Sequence, residues 1–427
     1  MYLEIRARLP SQIFVAEETC KCERRQALAP TSETISHYRR SENRVKIHGY
    51  RPTIGHISTY LPRECGIGLY TRDLMKSIGS GRFTHLVVAV DDGRPRLQYL
   101  SPVRFVIDAD EPSDYVDAAE FLNKSKTSVV SLQHEYGIFG GDWGKHVLGL
   151  VSSLTKPLVT TFHTVLAEPP QLAREILREI ASASKYVVVT LNRAERIIVD
   201  EYDVPARKVR VIRHGAPLAT RKDYSVEKER LRLSGRRVIS TVGFLSAAKG
   251  IQYGIRAVKS LIKQYPDIIY AVVGETHPLL KKHEGEAYRR KLKALIDAFD
   301  LGKHVMFVNR FVSEEELTMF LNIADVYVAP YQGRDQVSSG TLTRAMASGK
   351  AIVATPTLFA RETLTPGRGL ICKFGDAGSV ARQVQRILSN PSLKRGLEVR
   401  AGQYGRKVGW RRVAQAYAKM FKKAIGS

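Results

Sequence analysis

The chain has 427 residues, 44% of them apolar and 26% charged, with a formal net charge of +25. That length exceeds one compact core and predicts two domains of about 150–200 residues each. No apolar run approaches the roughly 18–20 residues of a membrane span and the N-terminus has no signal-peptide core, so a cytoplasmic protein is expected.

Residues 1–50 have weak periodicity and turn-like clusters such as Ser41-Glu42-Asn43, and read as an N-terminal extension of uncertain order. Cys20 and Cys22 sit too close for an easy disulfide, and no second CxxC pair or His cluster completes a zinc site. With Cys65 and Cys372 they read as free thiols. Organised structure begins at Thr53, where TIGHISTY predicts a first strand. A loop through Gly66 and Gly68 follows, then a helix with Leu69, Leu74 and Ile78 at helical spacing. Further strands are expected at 85–90, 128–133, 158–163, 186–191 and 209–215, separated by helix-like stretches. That alternation predicts a parallel, doubly wound sheet over 51–221.

Between 222 and 236 the sequence turns charged and loses apolar periodicity, which predicts a linker. A second series then starts, with strands at 238–245, 268–274, 304–309, 326–330 and 351–356, giving a second Rossmann-like domain over 237–400. Residues 326–356 form a strand, a polar loop with Gln336, Ser339 and Gly340, a small-residue helix and another strand. Such a loop offers free backbone N–H groups to an anionic phosphate at the helix start. From Lys394 to Lys423 there are ten Lys/Arg and one acid, Glu398. The last segment, 401–427, reads as a basic amphipathic helix with Trp410, Val413, Tyr417, Met420 and Phe421 on one face. Packing across the two domains and interfacial membrane binding are both open to it. Elsewhere the basic residues are scattered without a recognition helix or RNP-like or KH-like motif, which argues against nucleic acid.

Histidines fall at strand ends, at His134, His163, His214 and His277. GxSxG, HExxH and GxxxxGK[ST] are all absent, which removes support for serine-hydrolase, zincin and P-loop chemistry. Lys249, after a strand and at a helix entrance, is placed to neutralise a phosphate.

The second half resembles the donor domain of retaining glycosyltransferases of family 4, which have the GT-B fold. VGFLxxxKG (242–250), YAVVGETHP (270–278), FVNRFVSEEEL (307–317), ADVYVAPY (324–331) and AMASGKAIVAT (345–355) carry the resemblance. HISTYLPRECGIGLYTRDL (56–74), TFHT (161–164) and IRHG (212–215) extend it to the first half, and LQHEYGIFGG (132–141) resembles a mannosyltransferase-like subgroup. The resemblance implies a GT-B pair of Rossmann-like domains facing a cleft, with the C-terminal helix crossing between them. It implies metal-independent transfer of a hexose from a nucleotide diphosphate sugar, GDP-mannose being favoured, with no other cofactor. By position, Gly66, Gly68 and Gly243 would lie against the donor, and Val308 and Arg310 beside its base. Lys249 would bind the diphosphate, with Ser339, Gly340 and Thr341 offering backbone N–H groups. His163, Lys249 and Gln336 would act at the reacting sugar, and His134 and Glu135 would lie on the acceptor side.

Two departures from the family pattern stand out. The usual Glu-x7-Glu pair falls on Gln336 and Arg344, and the arginine that accompanies the phosphate lysine falls on Phe244. Arg344 would bind phosphate, since a guanidinium cannot accept from a sugar hydroxyl. A GT-B-like phosphorylase or epimerase is an alternative, and the missing acids favour a further one, an impaired sugar-nucleotide binding protein. The basic C-terminus hints at a glycan or lipid-linked acceptor and at contact with an anionic membrane surface.

Overall fold

A computed structural model describes residues 51–92, 97–218, 222–365 and 367–426. The extension expected over 1–50, with Cys20 and Cys22, lies outside the described residues. Strands β1 (Thr53–Ser58), β2 (Thr84–Asp91), β3 (Val103–Asp108), β4 (Thr127–His134), β5 (Leu158–Phe162), β6 (Ser184–Val189) and β7 (Val209–Val211) come first. They form a 7-stranded parallel sheet in the order β3-β2-β1-β4-β5-β6-β7. Strands β8 (Arg237–Val242), β9 (Ile268–Val273), β10 (Val305–Val308), β11 (Val326–Ala329), β12 (Ala351–Ala354) and β13 (Leu370–Ile371) form the second sheet. Its 6 strands are also parallel, ordered β10-β9-β8-β11-β12-β13.

Burial explains why the central strands are nearly continuous Val, Ile and Ala. Helices cover both faces of each sheet, so β9 and β12 are buried at every residue. In each sheet the strand order reverses once, between β1 and β4 and between β8 and β11. Ligands in such sheets bind beyond the carboxyl ends of the strands at these reversals. The predicted linker contains a short helix, Ser225–Arg230.

The chain passes between the sheets twice, side by side. Ala216 N–H donates to the carbonyl of Val408, and Trp410 N–H donates back to the carbonyl of Ala216, both at 3.1 Å. The helix Pro391–Lys407 packs on the second domain, against the helices Gly340–Ala347 and Ala377–Leu388, so the boundary expected at 400 falls inside it. The helix Trp410–Gly426 packs on the first domain, against the helix Gly66–Ile78 and strands β4 to β6. Its apolar face (Trp410, Val413, Tyr417, Met420, Phe421) is buried with Ile54, Leu74 and Phe83 in one cluster. The apolar stripe that interfacial membrane binding needs is therefore consumed inside the protein. Among the described residues, no helix is long and apolar enough to cross a membrane.

Candidate active site

At the first-domain reversal, β1 leads through residues 59–65 into the helix Gly66–Ile78. No side chain caps that helix and its first turn has no acid, so its leading N–H groups stay available. Gly68 packs closely on the preceding loop: a Cβ there would sit 3.2 Å from the Thr59 carbonyl, a tight contact. Gly66 faces open space.

His163 follows β5 and is 5% exposed. Its Nε2 lies 3.0 Å from Gln133 Oε1, while Gln133 Nε2 donates to Ser131 Oγ at 3.1 Å. That chain assigns the proton to Nε2 and leaves Nδ1 as an acceptor. Burial, with His214 and His134 nearby, depresses the His163 pKa to about 3. The ring is neutral in the folded chain, edge-on to Tyr70 at 4.9 Å. His214 reaches across to the second domain, where a Cβ on Gly340 would meet its Cε1 at 3.3 Å. Its Nδ1 is 2.8 Å from the Gly215 carbonyl.

His134 is not on the acceptor side. It is fully buried among Tyr136, Phe139 and Phe162, and among the described residues neither ring nitrogen has a partner. Its place at the carboxyl end of a strand signalled function, but the aromatic residues around it close it off. Glu135 is partly exposed, accepting from Thr164 Oγ1 at 2.7 Å and from the Tyr136 N–H at 3.1 Å, and burial pushes its pKa up.

At the second-domain reversal, Gly243 takes φ 124 after β8 and a 3₁₀ turn, Ala247–Lys249, carries the lysine. Lys249 Nζ sits 4.2 Å from the centre of the Tyr331 ring, and among the described residues no carboxylate pairs with it. Tyr331 is bonded to Thr341 Oγ1 at 2.9 Å and to the Tyr327 hydroxyl at 3.1 Å. Burial alone would raise its pKa, and the adjacent lysine turns the net shift downward. The helix Gly340–Ala347 starts here. Ser339 Oγ accepts from the Leu342 N–H, which leaves the Gly340 and Thr341 N–H groups uncommitted. Gln336 is half-buried in the same loop, and among the described residues its side-chain amide has no hydrogen-bond partner. Lys249, the helix start and Gln336 thus converge on the second-domain reversal.

Arg344 corrects an expectation. Its guanidinium is 8% exposed and holds both oxygens of Glu314 at 2.6 Å and Asp73 at 3.3 Å. Arg72 joins the same cluster, 2.6 Å from Asp73 and 3.7 Å from Glu314. Arg344 therefore ties the two domains together instead of standing free for a phosphate. Val308 ends β10 at 5% exposure. Arg310 is held by Glu316, whose backbone closes a capping box with Ser313. Phe244 packs between Phe311 and His277, so an aromatic stack replaces the expected cation.

Sequence reading missed the acidic pair Glu64 and Glu275, which meet from opposite domains. The Glu64 pKa is raised to about 7, chiefly by its hydrogen bond to Glu275. Each lies just past a recognised strand, and only the three-dimensional pairing reveals their contact.

Residues 224–408 match the family model described as Glycosyl transferases group 1. The chain is 25% identical over 194 residues to a phosphatidyl-myo-inositol mannosyltransferase of Mycolicibacterium smegmatis, covering 45% of this chain and 46% of the relative. It is 24% identical to spore coat protein SA of Bacillus subtilis, covering 46% and 51%. The chain spans about half the length of these curated relatives. Among solved structures, sucrose-phosphate synthase from Thermosynechococcus elongatus superposes with TM-score 0.73 at 19% identity, over 87% of this chain and 99% of that one. HepE from Anabaena in complex with UDP superposes with TM-score 0.70 at 16% identity, over 87% and 100%. These likenesses establish the GT-B fold.

Proposed function

We propose that the protein is a glycosyltransferase that moves a hexose from a nucleotide diphosphate sugar to a hydroxyl acceptor, with the anomeric configuration retained. The observation that carries this is Lys249, which no carboxylate pairs among the described residues, beside the uncommitted N–H groups at the Gly340–Ala347 helix start. Both aim positive charge at one place, where a leaving diphosphate gains negative charge in the transition state. The acceptor oxygen bonds to the anomeric carbon, the bond from that carbon to the phosphate oxygen breaks, and the acceptor proton passes to that oxygen. Neutral His163 and Gln336 would hold the sugar hydroxyls, with Glu135 towards the acceptor. No divalent ion is required, because Lys249 and the helix dipole supply the charge.

The mannosyltransferase name of one relative supports GDP-mannose as donor, while UDP and UDP-glucose in HepE structures support the uridine alternative. Residence in the cytoplasm suits such donors. The cationic outer face of the helix Trp410–Gly426, with Arg411, Arg412, Lys419 and Lys422 exposed, suits a lipid-linked acceptor at an anionic surface.

A thermal-shift screen of GDP-, UDP- and ADP-sugars, followed by hydrolysis of the best donor with and without EDTA, tests the reading. One donor is expected to stabilise the protein, and its turnover to survive EDTA. A shift without turnover would favour the second reading, a donor-binding protein that has lost catalysis, for which the missing Glu pair speaks. Lys249→Ala should weaken donor binding about tenfold or more, since a charge-assisted contact contributes about 1.5–3 kcal/mol. Full donor affinity in that variant would remove the site assignment.

A further inference from the structure

The loop after β4 holds a feature that the donor site does not use. Among the described residues, the exposed large apolar side chains are aliphatic except one, Trp143, at 40% exposure. Its backbone is left-handed, φ 55 and ψ 22, a conformation that costs a bulky residue on the order of 1 kcal/mol or more. Asparagine or glycine would sit there without that cost, so the indole is kept on the surface against both solvation and backbone preference.

The surroundings fix it in place. A Cβ on Gly140 would collide with the Ala109 carbonyl at 1.7 Å, and one on Gly144 would meet the Tyr136 carbonyl at 2.7 Å. The Gly140 N–H donates to the Tyr115 hydroxyl at 2.9 Å. Tyr136 stands perpendicular to the indole, 5.3 Å between ring centres, and its own N–H donates to Glu135. An exposed aromatic platform and a half-buried carboxylate are therefore linked through one residue, at the carboxyl end of the strand that flanks the first-domain reversal.

We propose that Trp143 and Glu135 form a subsite for a neutral pyranose ring, the acceptor sugar if the transferase reading holds. A pyranose presents an apolar C–H face that stacks on an indole and a rim of hydroxyls that donate to a carboxylate. Each Glu135 oxygen has one protein donor and keeps a second acceptor position. The Glu135 carboxylate opposes a phosphorylated ring, while the exposed Asp142 is paired with Lys145 at 3.5 Å.

The test uses the full chain and intrinsic fluorescence. The sequence has two tryptophans, and Trp410 is buried at 8% exposure, so acrylamide-quenchable emission reports Trp143. Titration with methyl α-mannopyranoside, methyl β-glucopyranoside and methyl β-galactopyranoside is expected to give a saturable change with at least one. Mannose 6-phosphate should bind about tenfold more weakly. Trp143→Gly, which suits the left-handed backbone, should weaken the effective pyranoside about tenfold or more by saturation-transfer NMR, with melting temperature as the folding control. Silence with all three pyranosides, tighter binding of the phosphate, or full affinity in Trp143→Gly would overturn the subsite. Donor thermal shifts on the same sample separate the two claims. A donor shift with a silent Trp143 overturns only the subsite. Pyranoside binding with no donor shift overturns only the transferase reading.

Discussion

Several histidines whose pKa values burial lowers, His56 well below its ordinary value among them, shape how the protein responds to acid. Burial depresses His134 and His163 to about 3 and His214 to about 4. An unfolded chain takes up these protons near pH 6.5. Between those limits the unfolded state binds more protons, so stability falls as the pH drops through the window. His134 adds a second cost, since among the described residues both its ring nitrogens lack partners. His134→Phe is therefore expected to raise stability at pH 5 by about 2 kcal/mol relative to the parent and to flatten the dependence of melting temperature on pH. An unchanged slope would place the acid sensitivity elsewhere. At this scale the sequence was readable where place in the chain decides position, as for Lys249, which follows β8 in a 3₁₀ turn before a helix. It was not readable where a partner from the other domain decides. Arg344 looked available for a phosphate because nothing in its own segment announces Glu314 and Asp73, which lie 30 and 271 residues away.

Among elements, the helix Asn192–Asp200 has an N-terminus closed by the other domain. The Asn192 and Arg193 N–H groups donate to the two oxygens of Glu362 at 3.0 and 2.9 Å, and Arg213 pairs with the same carboxylate. Thr190 Oγ1 donates to the Val337 carbonyl at 2.7 Å beside it. Burial alone would raise the Glu362 pKa, but these donors outweigh it and hold the group below its ordinary value. Glu362 thus ties the second domain to the first through a helix dipole. Glu362→Ala is expected to loosen the closed arrangement by about 1–3 kcal/mol. Small-angle scattering should show a larger radius of gyration, and donor KM should rise. A variant as compact as the parent would deny the contact that role. Sequence periodicity located the strand–loop–helix units of both sheets, because both faces of each strand are buried and leave an unbroken β-branched run. It missed β3 and β13, one of the two edge strands in each sheet. β3 carries polar residues on its open side and β13 has 2 residues, so neither leaves such a run.

For the whole molecule, the charge of +25 and the C-terminal helix belong together. With its apolar face buried, Trp410–Gly426 turns only polar and small residues and its last aliphatic outward. Nearby, a concavity of about 720 Å³ is lined by Lys156, Lys185, Arg207, Lys208 and Arg210, and Lys185 donates to the Ala424 carbonyl. Binding to an anionic surface would be electrostatic, roughly 1 kcal/mol per basic residue near the lipid, and screened by salt. Reversing Lys419 and Lys422 to glutamate is expected to lower sedimentation with phosphatidylglycerol vesicles about tenfold or more and to blunt its salt dependence. Equal sedimentation of parent and variant would exclude this face as the contact. The paired crossings at Ala216 and Trp410 also bear on how the chain is made. Tyr70 and Tyr417 share a buried hydrogen bond across 347 residues of sequence. At roughly 5–20 residues per second on a ribosome, that separation is roughly 20–70 s of synthesis. Throughout that interval the apolar side of β1, β4 and β5 stands open, awaiting a helix encoded after the entire second domain. The first domain to be translated is the last to be completed, and a chaperone's opportunity lies in that wait.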